Sequence, residues 1–169
     1  LEQMVNQSKA QTLTGFIGGP PCPDFSVAGR NKGKEGENGK LSGTYADLIC
    51  RARPDFFLFE NVKGLYRTAR HRSFFEELKQ KFRNCGYCLT EQLVNALEFG
   101  VPQDRDRILL VGIHTDILRR NNLPNEGYEL LNFPWNRYKL YDLNYVKRLP
   151  WPTKSPYNEN IPTVIPDGI

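Results

Sequence analysis

Phe56-Phe57-Leu58-Phe59-Glu60-Asn61-Val62 decides the fold. Its continuous apolar run reads as a strand covered on both faces, and it ends at a carboxylate. Working outward, Tyr45–Arg53 offers Ala46, Leu48, Ile49 and Ala52 for one helical face, and Pro54 stops it. Leu13–Ile17 is a shorter apolar run, again strand-like. Downstream, Ser73–Cys85 gives the clearest helix. Ser73 and Glu76 form a capping-box pattern, Phe74, Phe75, Leu78 and Phe82 fall on one side, and Gly86 stands at the stop. Leu89–Ala96 and Ile108–Ile113 read as two more strands. Strands alternating with helices predict an α/β sheet with right-handed crossovers. The last two strands share a short connection with no helix, which suits a hairpin, so the expected sheet is mixed.

In such sheets the working groups gather outside the carboxyl ends of the parallel strands. The first strand leads into Gly18-Gly19-Pro20-Pro21-Cys22-Pro23-Asp24-Phe25-Ser26. A cysteine held there on a rigid turn is placed to act as a nucleophile. Glu60 closes the second strand, so Cys22 and Glu60 are expected on one rim. Gln103-Asp104-Arg105-Asp106-Arg107 precedes the last strand, and its arginines reach that rim only if this strand runs antiparallel. Plainer readings exist for each group. Cys22 fits a small buried hydrophobe, Glu60 a helix-starting carboxylate, and the Arg–Asp alternation a surface ion-pair cluster.

The chain has 169 residues, enough for one domain with a core, and 39% of them are hydrophobic, which argues against a disordered chain. No apolar run approaches the ~20 residues of a membrane span, and no signal-peptide pattern is present. The net charge of +4 is compatible with a polyanionic partner or with a plain solvated surface. Cys85-Gly86-Tyr87-Cys88 has C-x-x-C spacing, but His71 and His114 stand at no zinc-ligand spacing, so no metal site is expected and both cysteines read as structural. With Cys22 and Cys50 the chain shows no evident disulfide framework, which favours the cytoplasm. Residues 29–43 mix five glycines with charges and read as a flexible loop, either a connector or a lid over the cysteine. From Phe133 on, prolines and aromatics are scattered among basic residues, and no internal repeats are seen.

Taken together, these segments resemble the cytosine-C5 DNA methyltransferases. The resemblance rests on Pro21-Cys22, Glu60-Asn61-Val62 and Gln103-x-Arg105-x-Arg107 in that order, with Asn95-Ala96-Leu97-Glu98-Phe99-Gly100-Val101-Pro102 directly before Gln103. Ser26-Val27-Ala28-Gly29-Arg30-Asn31-Lys32-Gly33 is similar to the family's mobile catalytic loop. The resemblance runs from about Leu13 to Ile113. It implies a partial Rossmann-like class I methyltransferase fold with S-adenosylmethionine as cofactor and a flipped cytosine of double-stranded DNA as substrate. It also implies roles. Cys22 adds to C6, Glu60 donates a proton at N3, Arg107 holds the O2 side and Arg105 orients the site. Pro21 and Tyr45 match positions near the cofactor. Pro20, Ser26, Arg30, Lys32, Asn61 and Gln103 fall on the nucleic-acid side, and the basic loop suits phosphates.

The chain also departs from the family. Position 23 is Pro where the family most often has Gln, the loop after Cys22 is expected longer, and the helix before Pro54 about a turn shorter. No G-x-G occurs, so the N-terminal cofactor-binding part is expected to be missing, supplied in cis or by a second chain. Residues 1–132 then form a partial catalytic domain. Residues 133–169 form an irregular Pro-rich segment, a linker or the start of a target-recognition region. The implied setting is a bacterial cytoplasm. Two alternatives remain open: a tRNA cytosine-C5 methyltransferase, and a catalytically dead nucleic-acid-binding module.

Overall fold

The computed structural model of the chain describes residues 13–20, 37–66 and 69–149. The expected mixed α/β sheet forms. Its strands are β1 (Gly15–Gly18), β2 (Phe56–Val62), β3 (Tyr87–Asn95), β4 (Asp106–His114), β5 (Asn125–Glu126) and β6 (Glu129–Leu130). Helices are α1 (Glu37–Ala52), α2 (Ala69–Asn84), α3 (Thr115–Arg120) and α4 (Leu143–Arg148), with 3-10 turns at Lys63–Tyr66 and Ala96–Phe99. The strand order is β1-β2-β4-β3-β6-β5. β1 runs parallel to β2, and β4 lies antiparallel between β2 and β3. Among the described residues no helix is long and apolar enough to cross a membrane.

Both long helices pack on one face. Phe57 and Phe59 of β2 point into it and meet Phe82 and Phe75 of α2, while Tyr45 of α1 tilts against Phe59. Ala46, Ile49, Phe74, Leu78, Leu89, Ile108 and Leu110 complete this core. Tyr87 is buried whole and its hydroxyl donates to the Pro54 carbonyl at 2.7 Å. The other face differs from the expectation. β2 alternates buried and half-buried residues, so Phe56 and Leu58 are not covered as Phe57 and Phe59 are. Ile17 on β1 is 76% exposed. An apolar run marks what a strand can bury, and among the described residues only one side of this one is filled.

Other boundaries also move. α1 starts at Glu37, inside the stretch expected to be loop, and is longer than the expected Tyr45–Arg53 helix. Gly43 costs about 1 kcal/mol in a helix interior, yet burial of Ala46 and Ile49 against the sheet outweighs that local preference. α2 starts at Ala69, which puts Ser73 inside the helix, so the Ser73/Glu76 pattern is not its cap. Glu76 instead pairs with Lys79 at 2.6 Å. The helix ends at Asn84, and Gly86 stands just past it as expected, with a φ of 91° in the left-handed region that glycine tolerates. The β3–β4 connection carries a 3-10 turn where none was expected. Between Phe133 and Leu149 the chain is irregular apart from a turn at 135–138 and α4, and the Trp135 indole donates to Thr90 Oγ1 at 3.0 Å.

The cysteine reading is corrected most. Cys50 near the end of α1 and Cys85 just after α2 form a disulfide, while Cys88 is free and buried. Cys85 and Cys88 therefore do not act as a pair, and the premise that the chain lacks disulfides does not hold. The bridge spans 35 residues and joins the ends of two packed helices, a proximity created by the tertiary fold.

Burial pushes the phenols of Tyr45, Tyr66 and Tyr87 above their ordinary value near 10, and at Tyr66 the Glu91 carboxylate adds to the shift. The fold favours their neutral form, so the stability they contribute is intact below pH ~10 and is lost as pH rises beyond it. In an alkaline titration read by phenolate absorbance and circular dichroism, these three of the eight tyrosines should ionise late, together with loss of helix. Ionisation of all eight near the ordinary value, with helix retained, would contradict this packing.

Candidate active site

The rim is set by two registers. Gly18 lies opposite Phe59 in the parallel pair, so the chain leaves β1 toward Pro20 beside the end of β2. In the antiparallel pair Val62 lies opposite Arg107 and Glu60 opposite Leu109. Facing residues share a side of the sheet, and the period of two puts Glu60 and Arg107 on the same side. They meet there: Arg107 Nε stands 2.8 Å from Glu60 Oε1. Arg107 Nη1 also donates to the Asp106 carbonyl at 2.7 Å. Both side chains are partly exposed, so the pair contributes about 0–1 kcal/mol and its weight lies in position.

The glycines at the end of β1 let this happen. A methyl group at Gly19 would stand 2.7 Å from Glu60 Oε2, so the bare backbone leaves the carboxylate its place. On the opposite side of β2, Asn61 is buried. Its Nδ2 donates to the Pro20 carbonyl at 3.4 Å and its Oδ1 accepts the Val62 N–H at 2.8 Å. Asn61 thus ties the last described residue after β1 to the strand carrying Glu60. Tyr45 lies with its ring against Gly18, and its hydroxyl donates to the Leu58 carbonyl at 3.0 Å. Its polar end is engaged inside the fold, and its ring packs against the core.

The arginine loop is built differently from the sequence expectation. Asn95, fully buried at the end of β3, caps the following 3-10 turn through the Leu97 N–H, and Glu98 closes the box on the Asn95 N–H at 2.8 Å. The Asn95 amide donates to Asp104 at 2.7 Å and to Asp106 at 2.9 Å. Those hydrogen bonds, before the neighbouring lysines, hold both carboxyls below their ordinary range. Lys63 reaches Asp106 at 3.0 Å, Lys147 reaches Asp104 at 3.2 Å, and Lys139 reaches Glu98 at 2.8 Å. The aspartates therefore pair with lysines, and the Arg–Asp surface cluster weighed above does not form. Arg105 is exposed, and its carbonyl accepts the Ala96 N–H at 3.1 Å. Gln103 is exposed on the same loop.

The structure thus brings Pro20, Glu60, Asn61 and Arg107 to one rim, with Arg105 and Gln103 on the adjoining loop and Tyr45 behind Gly18. Pro21, Cys22, Ser26, Arg30 and Lys32 lie outside the described residues. Sequence reasoning missed Gly19 and the Asn95 clamp. The Asn-x-x-Glu spacing of Asn95 and Glu98 is a capping-box signal that marks the turn. Among the described residues no group of three His, Cys, Asp or Glu side chains could hold a metal ion.

A family model described as C-5 cytosine-specific DNA methylase matches residues 3–160. The Type II methyltransferase M.NmeDI of Neisseria meningitidis serogroup C is 66% identical over 111 residues, 64% of this chain and 26% of that protein. The Type II methyltransferase M.MthTI of Methanothermobacter thermautotrophicus is 37% identical over 122 residues, 72% of this chain and 37% of that protein. The chain therefore spans about a quarter to a third of these relatives. A crystal structure of a prophage-encoded protein from E. coli, described as a DNA modification methyltransferase, shares the fold with a TM-score of 0.53 at 24% identity, over 74% of this chain and 32% of that one.

Gly19→Ala tests the close approach at the rim. The displaced atom is the tip of a flexible side chain, so the unfolding free energy should change by no more than for an ordinary surface substitution, within about 0.5 kcal/mol. The Glu60–Arg107 contact should open beyond 4 Å in the variant's crystal structure. An unchanged pair would show that Gly19 has no part in placing the carboxylate.

Proposed function

The chain belongs to the C-5 cytosine-specific DNA methylases, and from that premise we propose that it is the central part of an enzyme that methylates C5 of a cytosine flipped out of double-stranded DNA. The observation that carries the reading is the Glu60–Arg107 pair at a rim shared with the Pro20 carbonyl. Cys22 follows Pro20 by two positions in the sequence. A thiol, a carboxylate and a guanidinium would together serve one pyrimidine.

Each group has a task. The Cys22 thiolate forms a bond to C6, and the electron pair of the 5,6 double bond moves toward C5 and the ring carbonyl. Glu60 holds a proton at N3, which neutralises the charge that develops there. Arg107 holds O2, and its contact with Glu60 keeps the two groups side by side. Pro20 O is a hydrogen-bond acceptor for the exocyclic amine. When bound, S-adenosylmethionine supplies an electrophilic methyl group. Transfer of the C5 proton to a solvent base then returns an electron pair to the ring, re-forms the double bond and expels the Cys22 thiolate, and the N3 proton goes back to Glu60. The described residues fit that cofactor in part. Gly18 and the Tyr45 ring offer an open backbone edge and an aromatic wall, and Pro21 adjoins them in sequence, but among the described residues no ribose-binding carboxylate is seen beside them.

That shortfall supports reading the chain as part of a longer enzyme. The half-exposed Phe56 and Leu58 and the exposed Ile17 lie on the sheet face that the described helices leave uncovered. A cofactor-binding half, in cis or as a second chain, would cover that face. Ser26, Arg30 and Lys32 would contact phosphates, and the segment from Phe133 on would open a target-recognition region. The work belongs in the bacterial cytoplasm, with the DNA.

The full-length protein, mixed with cofactor and a duplex carrying 5-fluorocytosine, should give a covalent protein–DNA band. Cys22→Ser should abolish it, and a band that survives that change would end the nucleophile assignment. No band with the wild type would favour a binding module, and a band only with tRNA would move the substrate. Glu60→Gln should slow methyl transfer on the order of 10²–10⁴-fold while DNA affinity changes little. An equal loss in both would remove the acid role. Arg30→Ala with Lys32→Ala should flatten the salt dependence of DNA binding by roughly one unit of slope per lost phosphate contact.

A further inference from the structure

We propose that Asn95 is a positioning residue for Arg105 and Arg107, its buried amide clamping the two aspartates that bracket Arg105. The inference rests on the reading of those arginines as the groups that hold the target cytosine.

Asn95 has no exposed surface. Its Oδ1 accepts the Leu97 N–H at 3.0 Å, and Nδ2 donates one hydrogen to Asp104 Oδ1 and one to Asp106 Oδ1. Both amide donors are used, so the side chain has one orientation available to it. Both donors go to residues that alternate with the arginines along the loop. Holding 104 and 106 from one point fixes the backbone between them, which is the backbone of Arg105. It also fixes the residue directly before Arg107. The Ala96 N–H on the Arg105 carbonyl adds a third tie from the same turn.

Other groups touch the same carboxylates but cannot set this geometry. The Lys63 and Lys147 side chains are 59% and 41% exposed. Exposed ammonium groups on flexible stems neutralise charge without fixing an angle. Asn95 is anchored by the strand behind it and by Glu98, which accepts its N–H and is itself held by Lys139. The clamp is therefore the rigid link between β3 and the arginine loop. A displacement of about 1 Å in a positioning element can cost on the order of 10²-fold in rate, so a clamp of this kind bears on turnover.

The test uses the full-length protein. Asn95→Asp keeps the shape, removes both donors and sets a third carboxylate against two. Its kcat for DNA methylation should fall on the order of 10²-fold. Affinity for duplex DNA should change less than about threefold, because phosphate contacts carry it. An inverted variant combines Asn95→Asp with Asp104→Asn and Asp106→Asn, so that two new amides donate to one new carboxylate. It should recover at least about tenfold of the lost kcat through coupling between the sites. A merely structural role would lower the melting point without this split between kcat and affinity and without recovery on inversion. Asn95→Asp with kcat unchanged would overturn the proposal and leave the methyltransferase reading intact. So would an inverted variant that melts like the wild type yet stays as slow as the single change. If Asn95→Asp does not fold, the inverted variant decides. A wild type with neither methylation nor adduct would overturn the methyltransferase reading, and this role with it.

Discussion

The register of β4 against β2 is the constraint on which the site depends. Phe59 faces Leu110 and Asn61 faces Ile108, and all four are buried under the helices. That burial fixes the pairing, because a slip of one residue would turn every side chain to the other face. With the register fixed, Val62 must face Arg107, and Arg107 must share a side with Glu60. The core on one face thus places the ion pair on the other. The pair itself is too exposed to stabilise the sheet much, so its geometry comes from the aromatic packing and not from its own attraction.

The same division explains the uneven cover of the sheet. α1 and α2 fill the face that holds Phe57, Phe59 and Leu89, and the Cys50–Cys85 bridge joins them at one end. The opposite face carries Ile17, Phe56 and Leu58 beside Glu60 and is only partly shielded by the described residues. A strand apolar on both sides implies packing on both sides. The chain covers 26% and 37% of the two relatives compared, which leaves ample sequence in such proteins to supply that second layer.

Much of this is legible in the sequence, and the illegible parts share a cause. The convergence of Glu60, Arg107 and Pro20 follows from two local signals: strands that end in chemistry-bearing residues, and a strand pair with too short a link to run parallel. The buried side of α2, with Phe74, Phe75, Leu78 and Phe82, follows from helical spacing and is found as expected. The start of α1 at Glu37 does not follow, because glycine-rich composition argues against helix and only tertiary burial overrides it. The Cys50–Cys85 bridge is hidden because its partners are distant in sequence and the nearer C-x-x-C pair draws attention instead. Asn95 advertises its cap through Glu98, but its hold on Asp104 and Asp106 exists only once the loop folds back across the turn.

An alternation of Arg and Asp would be expected to neutralise itself, and the reason it does not is instructive. The acids on the arginine loop and its turn pair with lysines, Asp104 with Lys147, Asp106 with Lys63 and Glu98 with Lys139, while Glu60 of β2 takes Arg107. The Asn95 amide adds two donors without adding charge. A lysine in its place would raise the positive field but bind one carboxylate at a time on a flexible stem, and an acid would repel both. The neutral fork therefore holds the aspartates while leaving the charge balance of the loop to the lysines. With the acids engaged elsewhere, the Arg105 guanidinium has no partner among the described residues. A cation kept unpaired beside acids is suited to a polyanion or to the carbonyl of a base, and the arrangement that keeps it so is built from uncharged donors and from cations that are not themselves in the site.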